Sequence, residues 1–228
     1  MRWMKYLLAV AVVAVTAGTG TGPRAQPFRL LELDGAPVKW GDGQAGGGAV
    51  VSYRTVGQPV SFPDGINCPF MNPIARLADG AGPRAIDLPA ELRAAMRLWE
   101  AAANIRFREA PDMESADLLI GVQRDPRGIA YTGIRFDRRR NRRFSRITRA
   151  AICLNPRAVW ETEPDGSTAT YGIARVLAHE IGHVIGLDHP GPRGQLMGYR
   201  YSEDPAVLNP GDIAGARLLY GPPTGGPR

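Results

Sequence analysis

Cysteine is scarce in this chain of 228 residues, which contains only Cys68 and Cys153. In an oxidising compartment, two cysteines are the number that forms one bridge. A single disulfide between them is one interpretation, and two unrelated buried thiols are the other. The spacing of the two residues does not decide between these alternatives.

Long hydrophobic runs are also missing, except near the start of the chain. The apolar run Tyr6–Val15 follows a positively charged start and precedes a series of small residues. This is the layout of a secretory signal peptide, and the run is too short for a relaxed membrane span. We predict a signal peptide over residues 1–25, cleaved after Ala17 or Ala25, and a secreted protein. An uncleaved membrane anchor is the alternative.

Aromatic residues are sparse around the main cluster of positive charge. The formal net charge is +6 and comes almost entirely from arginine, with one dense run formed by Arg135, Arg138, Arg139, Arg140, Arg142, Arg143, Arg146 and Arg149. Such a run is usually a solvated loop, although it can attract acidic proteins, anionic cell envelope or nucleic acid. Recognition of single strands usually adds aromatic side chains, and only Phe136 and Phe144 occur here. We therefore expect no specific nucleic-acid partner.

Length and composition fit one folded domain. A hydrophobic fraction of 44% and a charged fraction of 22% are ordinary globular values, and 228 residues can bury a sizeable core. We interpret residues 26–48 as a lead-in or linker segment that contains a short hairpin. The main domain is expected over residues 49–221, and residues 222–228 are expected to be a disordered tail.

The predicted elements follow the order strand, helix, several strands, helix, loop, helix. One helix begins near Pro89, a second covers Tyr171–Ile185, and a third begins at Asn209-Pro210 and ends at Tyr220-Gly221. The main candidate strands are Ala49–Val56, Ile105–Glu109, Asp117–Val122, Gly128–Phe136 and Thr148–Leu154. This order predicts an α+β fold in which one sheet packs against two long helices.

All three histidines of the chain fall within residues 179–190, HEIGHVIGLDHP. His179 and His183 are four residues apart, so on a helix they lie on one face and can reach one ion. Gly186 tolerates the left-handed conformation that ends a helix, which lets the chain return with His189 as a third ligand. Three neutral imidazoles leave one position open for water, as in catalytic rather than structural zinc sites.

Glu180 stands beside the first histidine and is not needed as a ligand. Zinc would lower the pKa of its water and polarise a substrate carbonyl, while Glu180 would take the proton of the water and pass it to the leaving amine. An HExxH pattern also occurs by chance in ordinary helices. That interpretation is weak here, because every histidine occupies a ligand position and imidazoles on a mostly apolar helix are poorly placed without a partner.

The extended pattern HExxHxxGxxH, followed by Met197 in GQLMGYRY, resembles the metzincin signature. The short interval from His189 to Met197 resembles the matrixins in particular. So do the ending LNPGDIAGARLLYG and the stretch ELRAAMRLWEAAANIRFREA followed by ADLLIGV. The resemblance implies a twisted, mostly parallel five-stranded sheet, a zinc cleft, and a small C-terminal part with a Met-turn and a final helix. It also implies that Met197 packs beneath the zinc as a floor.

The resemblance assigns the substrate cleft as well. The strand GIAYTGI, with Ala130 and Tyr131, is expected to be the sheet edge that pairs with an extended peptide; an ordinary edge strand is the alternative. Tyr201 matches the matrixin tyrosine that walls the specificity pocket. Tyr199 stands where astacins and serralysins place a tyrosine that stabilises the oxyanion, and it is either such a residue or a pocket wall.

Three further departures from the matrix metalloproteinases shape the expected cofactor and regulation. No histidine remains for their second, structural zinc, so we expect one catalytic zinc ion. No cysteine precedes Cys68, so a thiol switch is not expected, and Pro190 follows the last histidine as in serralysins, without their glycine repeats. Calcium binding is possible, but the sequence does not show it, because no dense motif of oxygen ligands is present.

These observations predict a secreted, monomeric zinc endopeptidase that acts on peptide or protein substrates. One alternative is a non-catalytic secreted protein that keeps zinc for structure and presents its arginine-rich loop to a partner. Another is a metal-dependent amidase or peptidase that acts on small or cell-wall peptides.

Overall fold

The computed structural model describes residues 28–63, 67–80, 86–137, 143–162 and 170–224. The helices are α1 (Leu88–Ala102), α2 (Ile173–Val184) and α3 (Pro210–Tyr220), with a 3-10 helix at Ile74–Gly80. The strands are β1 (Arg29–Leu30), β2 (Glu32–Leu33), β3 (Ala36–Lys39), β4 (Ala49–Thr55), β5 (Val60–Ser61), β6 (Phe70–Asn72), β7 (Ile105–Glu109), β8 (Leu118–Gln123), β9 (Ala130–Asp137), β10 (Ser145–Leu154), β11 (Val159–Glu161), β12 (Thr170–Gly172) and β13 (Leu187–Asp188). The predicted signal peptide and the middle of the arginine run lie outside the described residues.

The main sheet has the predicted five strands at its centre, in the order β7, β4, β8, β10, β9. The first four run parallel to one another, and β9 runs antiparallel to β10. Within the described residues, β2, β3, β5 and β6 enlarge this sheet to nine strands. The prediction of an α+β fold with a mostly parallel sheet is confirmed. Strands β2 and β3 form the short hairpin predicted within residues 26–48, whereas β5 and β6 were not predicted.

Helices α1 and α2 cover one face of the sheet and enclose the main core. The Asp87 carboxylate accepts the backbone N–H of Ala90 at 3.0 Å and so caps the start of α1. The Trp99 indole nitrogen, fully buried on α1, donates to the Ala178 carbonyl of α2 at 2.9 Å. This bond fixes α2 against α1 at the turn that precedes the first histidine.

The opposite face of the sheet is covered by the segment that carries β5 and β6. Its side chains Phe62, Cys68 and Met71 are buried against Ala151 and Cys153 of β10. A disulfide joins Cys68 to Cys153, whose Cα atoms are 6.2 Å apart across a sequence separation of 85 residues. The bridge therefore holds this segment against the part of the sheet that borders β9.

Residues 28–48, interpreted from the sequence as a lead-in or linker, are an integral part of the fold. Strand β1 pairs with β13 and β3 pairs with β10. The Leu31 N–H, between β1 and β2, donates to the Gly186 carbonyl at 2.8 Å. The Trp40 indole donates to the Val184 carbonyl at 2.8 Å. These bonds satisfy carbonyls that the end of α2 would otherwise leave unpaired.

The tail that the sequence predicts to be disordered begins with an ordered contact. The Thr224 hydroxyl donates to the Asn104 side-chain oxygen at 2.8 Å, and its carbonyl accepts from Arg106. Residues 225–228 lie outside the described residues. Among the helices of the described ranges, none has the length and apolar character that spanning a bilayer requires.

Candidate metal centre and cleft

The three histidines converge at one point of the structure. Helix α2 presents His179 and His183 on one face and ends before Gly186, whose φ is +97°. A Cβ at this glycine would lie 2.2 Å from the Val38 carbonyl oxygen, so the turn requires glycine. The chain then returns through β13, and the His189 Nε2 atom lies 3.1 Å from the Nε2 atoms of both helical histidines.

Backbone carbonyls orient the two helical imidazoles. The Nδ1 atom of His179 lies 2.8 Å from the Leu196 carbonyl oxygen, and that of His183 lies 2.8 Å from the Leu187 carbonyl oxygen. Because a carbonyl can only accept, both Nδ1 atoms donate and each Nε2 keeps its lone pair. The lone pairs of His179 and His183 both face the Nε2 atom of His189. That atom can carry only one hydrogen, so at most one of the two 3.1 Å contacts can be a hydrogen bond.

This donor set fits a zinc ion. Nitrogen ligands at zinc distances of about 2.0–2.1 Å are about 3.3 Å apart in a tetrahedron, close to the spacing of the imidazoles. All three side chains offer ligand atoms within 4.8 Å of one another. Burial, followed by the nearby His179 and His189, holds the pKa of His183 well below its usual value. Burial and His179 also lower the pKa of His189, so both rings are held in the neutral form that binds metal.

Glu180 is buried beside the histidines and is held by a residue of β9. The Thr132 hydroxyl donates to Glu180 Oε2 at 2.6 Å and lies 3.2 Å from the Glu180 carbonyl oxygen. Burial raises the pKa of Glu180, while His179 and the Thr132 hydroxyl oppose that rise. The sequence did not single out Thr132, although it stands in the strand expected to border the cleft.

The Met-turn lies beneath α2, as the family resemblance implies. Met197 is buried, and a Cβ at Gly182 of α2 would lie 2.1 Å from its sulfur atom. The Asp212 carboxylate of α3 accepts the backbone N–H groups of Leu196 and Met197 at 2.8 and 3.1 Å. It also accepts from the N–H of Asn209 at the start of α3, so it fixes the turn whose Leu196 carbonyl orients His179. Asp212 was not predicted, because only the tertiary structure brings it to the turn.

A cleft of about 530 Å³ opens over the histidines. Ala130 and Tyr131 line one side, Tyr199 and Tyr201 line the other, and Leu31 contributes from the N-terminal segment. The Tyr199 side chain is 57% exposed, and the centroid of its ring lies 6.2 Å from that of His189.

The Tyr201 side chain, which lines the cleft, is held by a hydrogen bond and a ring contact. Its hydroxyl accepts the Gly172 N–H at 2.7 Å, and its ring meets Tyr171 edge-on at 5.0 Å between centroids. The ring is therefore held in place immediately before α2.

The edge of β9 is partly occupied. Within the described residues β9 pairs only with β10, and the Asn67 side-chain amide donates to the Thr132 carbonyl at 3.0 Å. The disulfide-linked segment therefore already satisfies one carbonyl of the expected substrate-pairing strand. The pairing with a peptide expected at Ala130 and Tyr131 stays a prediction, and it would have to use positions other than the Thr132 carbonyl.

Strand β1 supports the third histidine through Asp188. Arg29 Nε lies 3.1 Å from Asp188 Oδ2, and Asp188 Oδ1 accepts the backbone N–H of His189 at 2.8 Å. The pairing of β1 with β13 places Arg29 opposite Asp188. The N-terminal segment is thus in direct contact with the element that delivers His189, a relationship that the sequence analysis missed.

Comparison with known proteins gives a consistent family. The family model for matrixins, Peptidase M10, matches residues 83–221. The hatching enzyme of Paracentrotus lividus is 34% identical over 147 residues, which are 61% of this chain and 23% of that protein. Metalloendoproteinase 1-MMP of Arabidopsis thaliana is 27% identical over 143 residues, 60% of this chain and 38% of that protein. Interstitial collagenase B of Mus musculus is 27% identical over 132 residues, 56% and 27% respectively. The chain therefore spans less than two fifths of the length of these relatives.

Proposed function

The chain belongs to the matrixin family, and from this premise we propose that it is a zinc-dependent endopeptidase that hydrolyses internal peptide bonds. The observation that carries the proposal is the convergence of His179, His183 and His189, with Glu180 buried next to them. A structural zinc site has no need of that carboxylate, whereas hydrolysis by an activated water requires a base at this position.

The three histidines would hold one zinc ion through their Nε2 atoms. Zinc held by three neutral imidazoles supplies Lewis-acid chemistry to a water molecule and to the substrate carbonyl. Glu180 takes a proton from the water and returns it to the leaving amine. Burial raises its pKa, which is the direction that favours proton uptake by a general base. Thr132 orients the carboxylate for both transfers.

The substrate is proposed to lie extended between β9 and the segment that carries the two cleft tyrosines. Ala130 and Tyr131 would pair with its backbone, which aligns the peptide without reading its sequence. Tyr201, fixed by its bond to the Gly172 N–H, would wall the specificity pocket. Tyr199, whose ring stands near His189, would place its hydroxyl where the carbonyl oxygen gains negative charge.

Secretion is part of the proposal. The predicted signal peptide over residues 1–25 would deliver the chain to an oxidising compartment, where the Cys68–Cys153 disulfide persists. We propose a monomeric catalytic domain that includes residues 49–221 together with the strands of residues 28–48. N-terminal sequencing of the protein from the culture medium of an expressing host tests this, since the secreted chain should begin at Gly18 or at Gln26.

Digestion of an unstructured protein tests the activity. Casein incubated with the purified chain should yield internal cleavage products by mass spectrometry. A zinc chelator should abolish the cleavage and added zinc should restore it. If casein stays intact while small peptides are cleaved, the chain is a peptidase or amidase of narrower range. If nothing is cleaved, the non-catalytic binding protein is favoured instead.

The described part of the arginine run gives that binding role little support. Arg135 donates to the Pro63 carbonyl at 2.6 Å, and Arg149 donates to the Met113 carbonyl at 2.6 Å. Both side chains thus tie β9 and β10 to neighbouring segments. Residues 138–142 lie outside the described residues, so the proposal rests on the metal centre.

A further inference from the structure

A second pocket, of about 250 Å³, adjoins the catalytic cleft. Asn67 and Tyr131 line both cavities, so the pocket lies next to the cleft at the start of β9. Tyr131 immediately precedes Thr132, which bonds Glu180. Because a strand advances about 3.3 Å per residue, the pocket lies within about three substrate residues of the reacting bond.

Two arginines give the second pocket a positive charge. The Arg124 guanidinium lies over the Phe70 ring at 4.8 Å from the centroid, which holds it at the rim. Among the described residues that line the pocket, Asp125 is its only acidic neighbour. The Arg124 Nε and Asp125 Oδ2 atoms are 3.8 Å apart, and both side chains are more than half exposed. Such a pair is weak, because water screens it. Arg127, which also lines the pocket, has no ion-pair partner among the described residues.

The floor of the second pocket is apolar and fixed. It is formed by the Cys68–Cys153 disulfide and Pro69. The Gln123 side chain donates to the Cys153 carbonyl at 3.3 Å and accepts the backbone N–H of Arg127 at 2.5 Å. These bonds hold the loop that carries Arg124 and Arg127 against β10. A side chain that enters the pocket would therefore rest its methylene groups on the disulfide, with its end near the two arginines that line the pocket.

The main cleft, like the second pocket, is lined by arginines. Arg175 and Arg200 line it, and Arg175 donates to the Asp204 and Pro205 carbonyls at 3.1 and 3.0 Å. Of its two acids, Glu180 is buried and Asp188 is paired with Arg29. A substrate with negative charge near the scissile bond therefore meets no exposed, unpaired carboxylate among the lining residues of the main cleft.

We propose that the pocket formed by Arg124 and Arg127 is a substrate subsite for an acidic side chain, aspartate or glutamate, close to the scissile bond. This inference rests on the proposed endopeptidase function and names the substrate class of the same cleft. Guanidinium groups suit the role because their donors match the two oxygens of a carboxylate.

Matched peptides test the subsite. Fluorogenic peptides of one parent sequence would carry glutamate, or the isosteric neutral glutamine, at each of three positions on either side of the scissile bond. At one position, kcat/KM for the glutamate peptide should exceed that for the glutamine peptide about tenfold, mainly through KM. Raising NaCl from about 0.05 to about 0.5 M should shrink this ratio, because salt screens exposed charges.

Variants assign the preference to the two arginines. In the double variant R124Q/R127Q the ratio should fall to about one. Arg108→Gln, an exposed arginine on the opposite edge strand β7, should leave the ratio unchanged. A ratio near one in the wild-type protein, or a preference that survives in R124Q/R127Q, overturns the subsite.

Failure of the endopeptidase proposal would look different. Neither glutamate nor glutamine peptides would be cleaved, at any position. The subsite is then decided by binding of the same labelled peptides to Glu180→Gln, measured by fluorescence anisotropy. Tighter binding of the glutamate peptide, lost in the triple variant with R124Q/R127Q, supports the pocket; equal binding of both peptides overturns it.

Discussion

The Thr132 hydroxyl donates a hydrogen bond of 2.6 Å to Glu180 Oε2, and both side chains are buried. The bond joins edge strand β9 to the helix that carries two histidines. It fixes the carboxylate in one orientation and favours its charged form against the burial that opposes it. The strand proposed to align the substrate therefore also positions the proposed base.

Replacing Thr132 tests this positioning role. Thr132→Val keeps the shape of the side chain but leaves the carboxylate without its donor, so kcat should fall on the order of tenfold or more. Zinc content and KM should change little, because the variant keeps all three ligands and valine preserves the shape of the cleft lining at this position. Thr132→Ser, which restores the hydroxyl, should recover most of the turnover. A valine variant with wild-type kcat would show that the bond only supports the fold.

Truncation of the N-terminal segment tests the support given to His189. A chain that starts at Phe28 keeps β1 and should bind zinc as the full chain does. A chain that starts at Ala36 loses the pairing with β13 and the ion pair to Asp188. Its zinc affinity should fall about ten- to a hundredfold, as for the loss of other groups that orient metal ligands. Equal affinities of the two chains, measured by competition with a chelating dye, would contradict this role.

Gly182 tests the contact between the helix and the Met-turn. A Cβ there would lie 2.1 Å from the Met197 sulfur and 3.0 Å from Trp99, so Gly182→Ala must displace buried groups. We expect a loss of about 1–3 kcal/mol in the free energy of unfolding, measured with urea. Gly57→Ala is the matched control, because nothing lies within 4 Å of its Cβ position. Similar stability of the two variants would show that the floor is not tightly packed.

The metal centre was predictable because its information is local. The spacing of His179 and His183 sets two ligands on one helix face, and Gly186 returns the third within six residues. The remaining parts of the site depend on contacts between distant segments. Thr132, Asp212 and Arg29 reach it only through the pairing of β9, the packing of α3 and the pairing of β1. None of these residue types signals such a role by its neighbours in the sequence.

In the sheet, too, features set by nearby residues were predictable and features set by distant contacts were not. Its five central strands have apolar patterns that a single sequence reveals, and the helix boundaries follow capping residues such as Asp87. The pairing of β1 with a two-residue strand beside His189 has no such pattern. The match to the family model begins beyond this segment, at residue 83, and so does not include β1.

Tyr199 separates two roles for the exposed ring near His189. If its hydroxyl stabilises the developing charge on the carbonyl oxygen, Tyr199→Phe should lower kcat about ten- to a hundredfold. Zinc affinity should barely change, because the ring and the ligands remain. Steady-state kinetics together with a zinc titration separate the two effects. An unchanged kcat would make Tyr199 a pocket wall only.

The central claim is hydrolysis by a base beside a three-histidine zinc site, and Glu180→Gln tests it most directly. The variant keeps the size of the side chain and all three imidazoles, but its amide cannot accept the proton of a water molecule. Metal analysis should find one zinc per chain in both proteins, while the rate of casein cleavage should fall at least about a hundredfold in the variant. Cleavage by Glu180→Gln at the wild-type rate, with zinc bound, would contradict the mechanism.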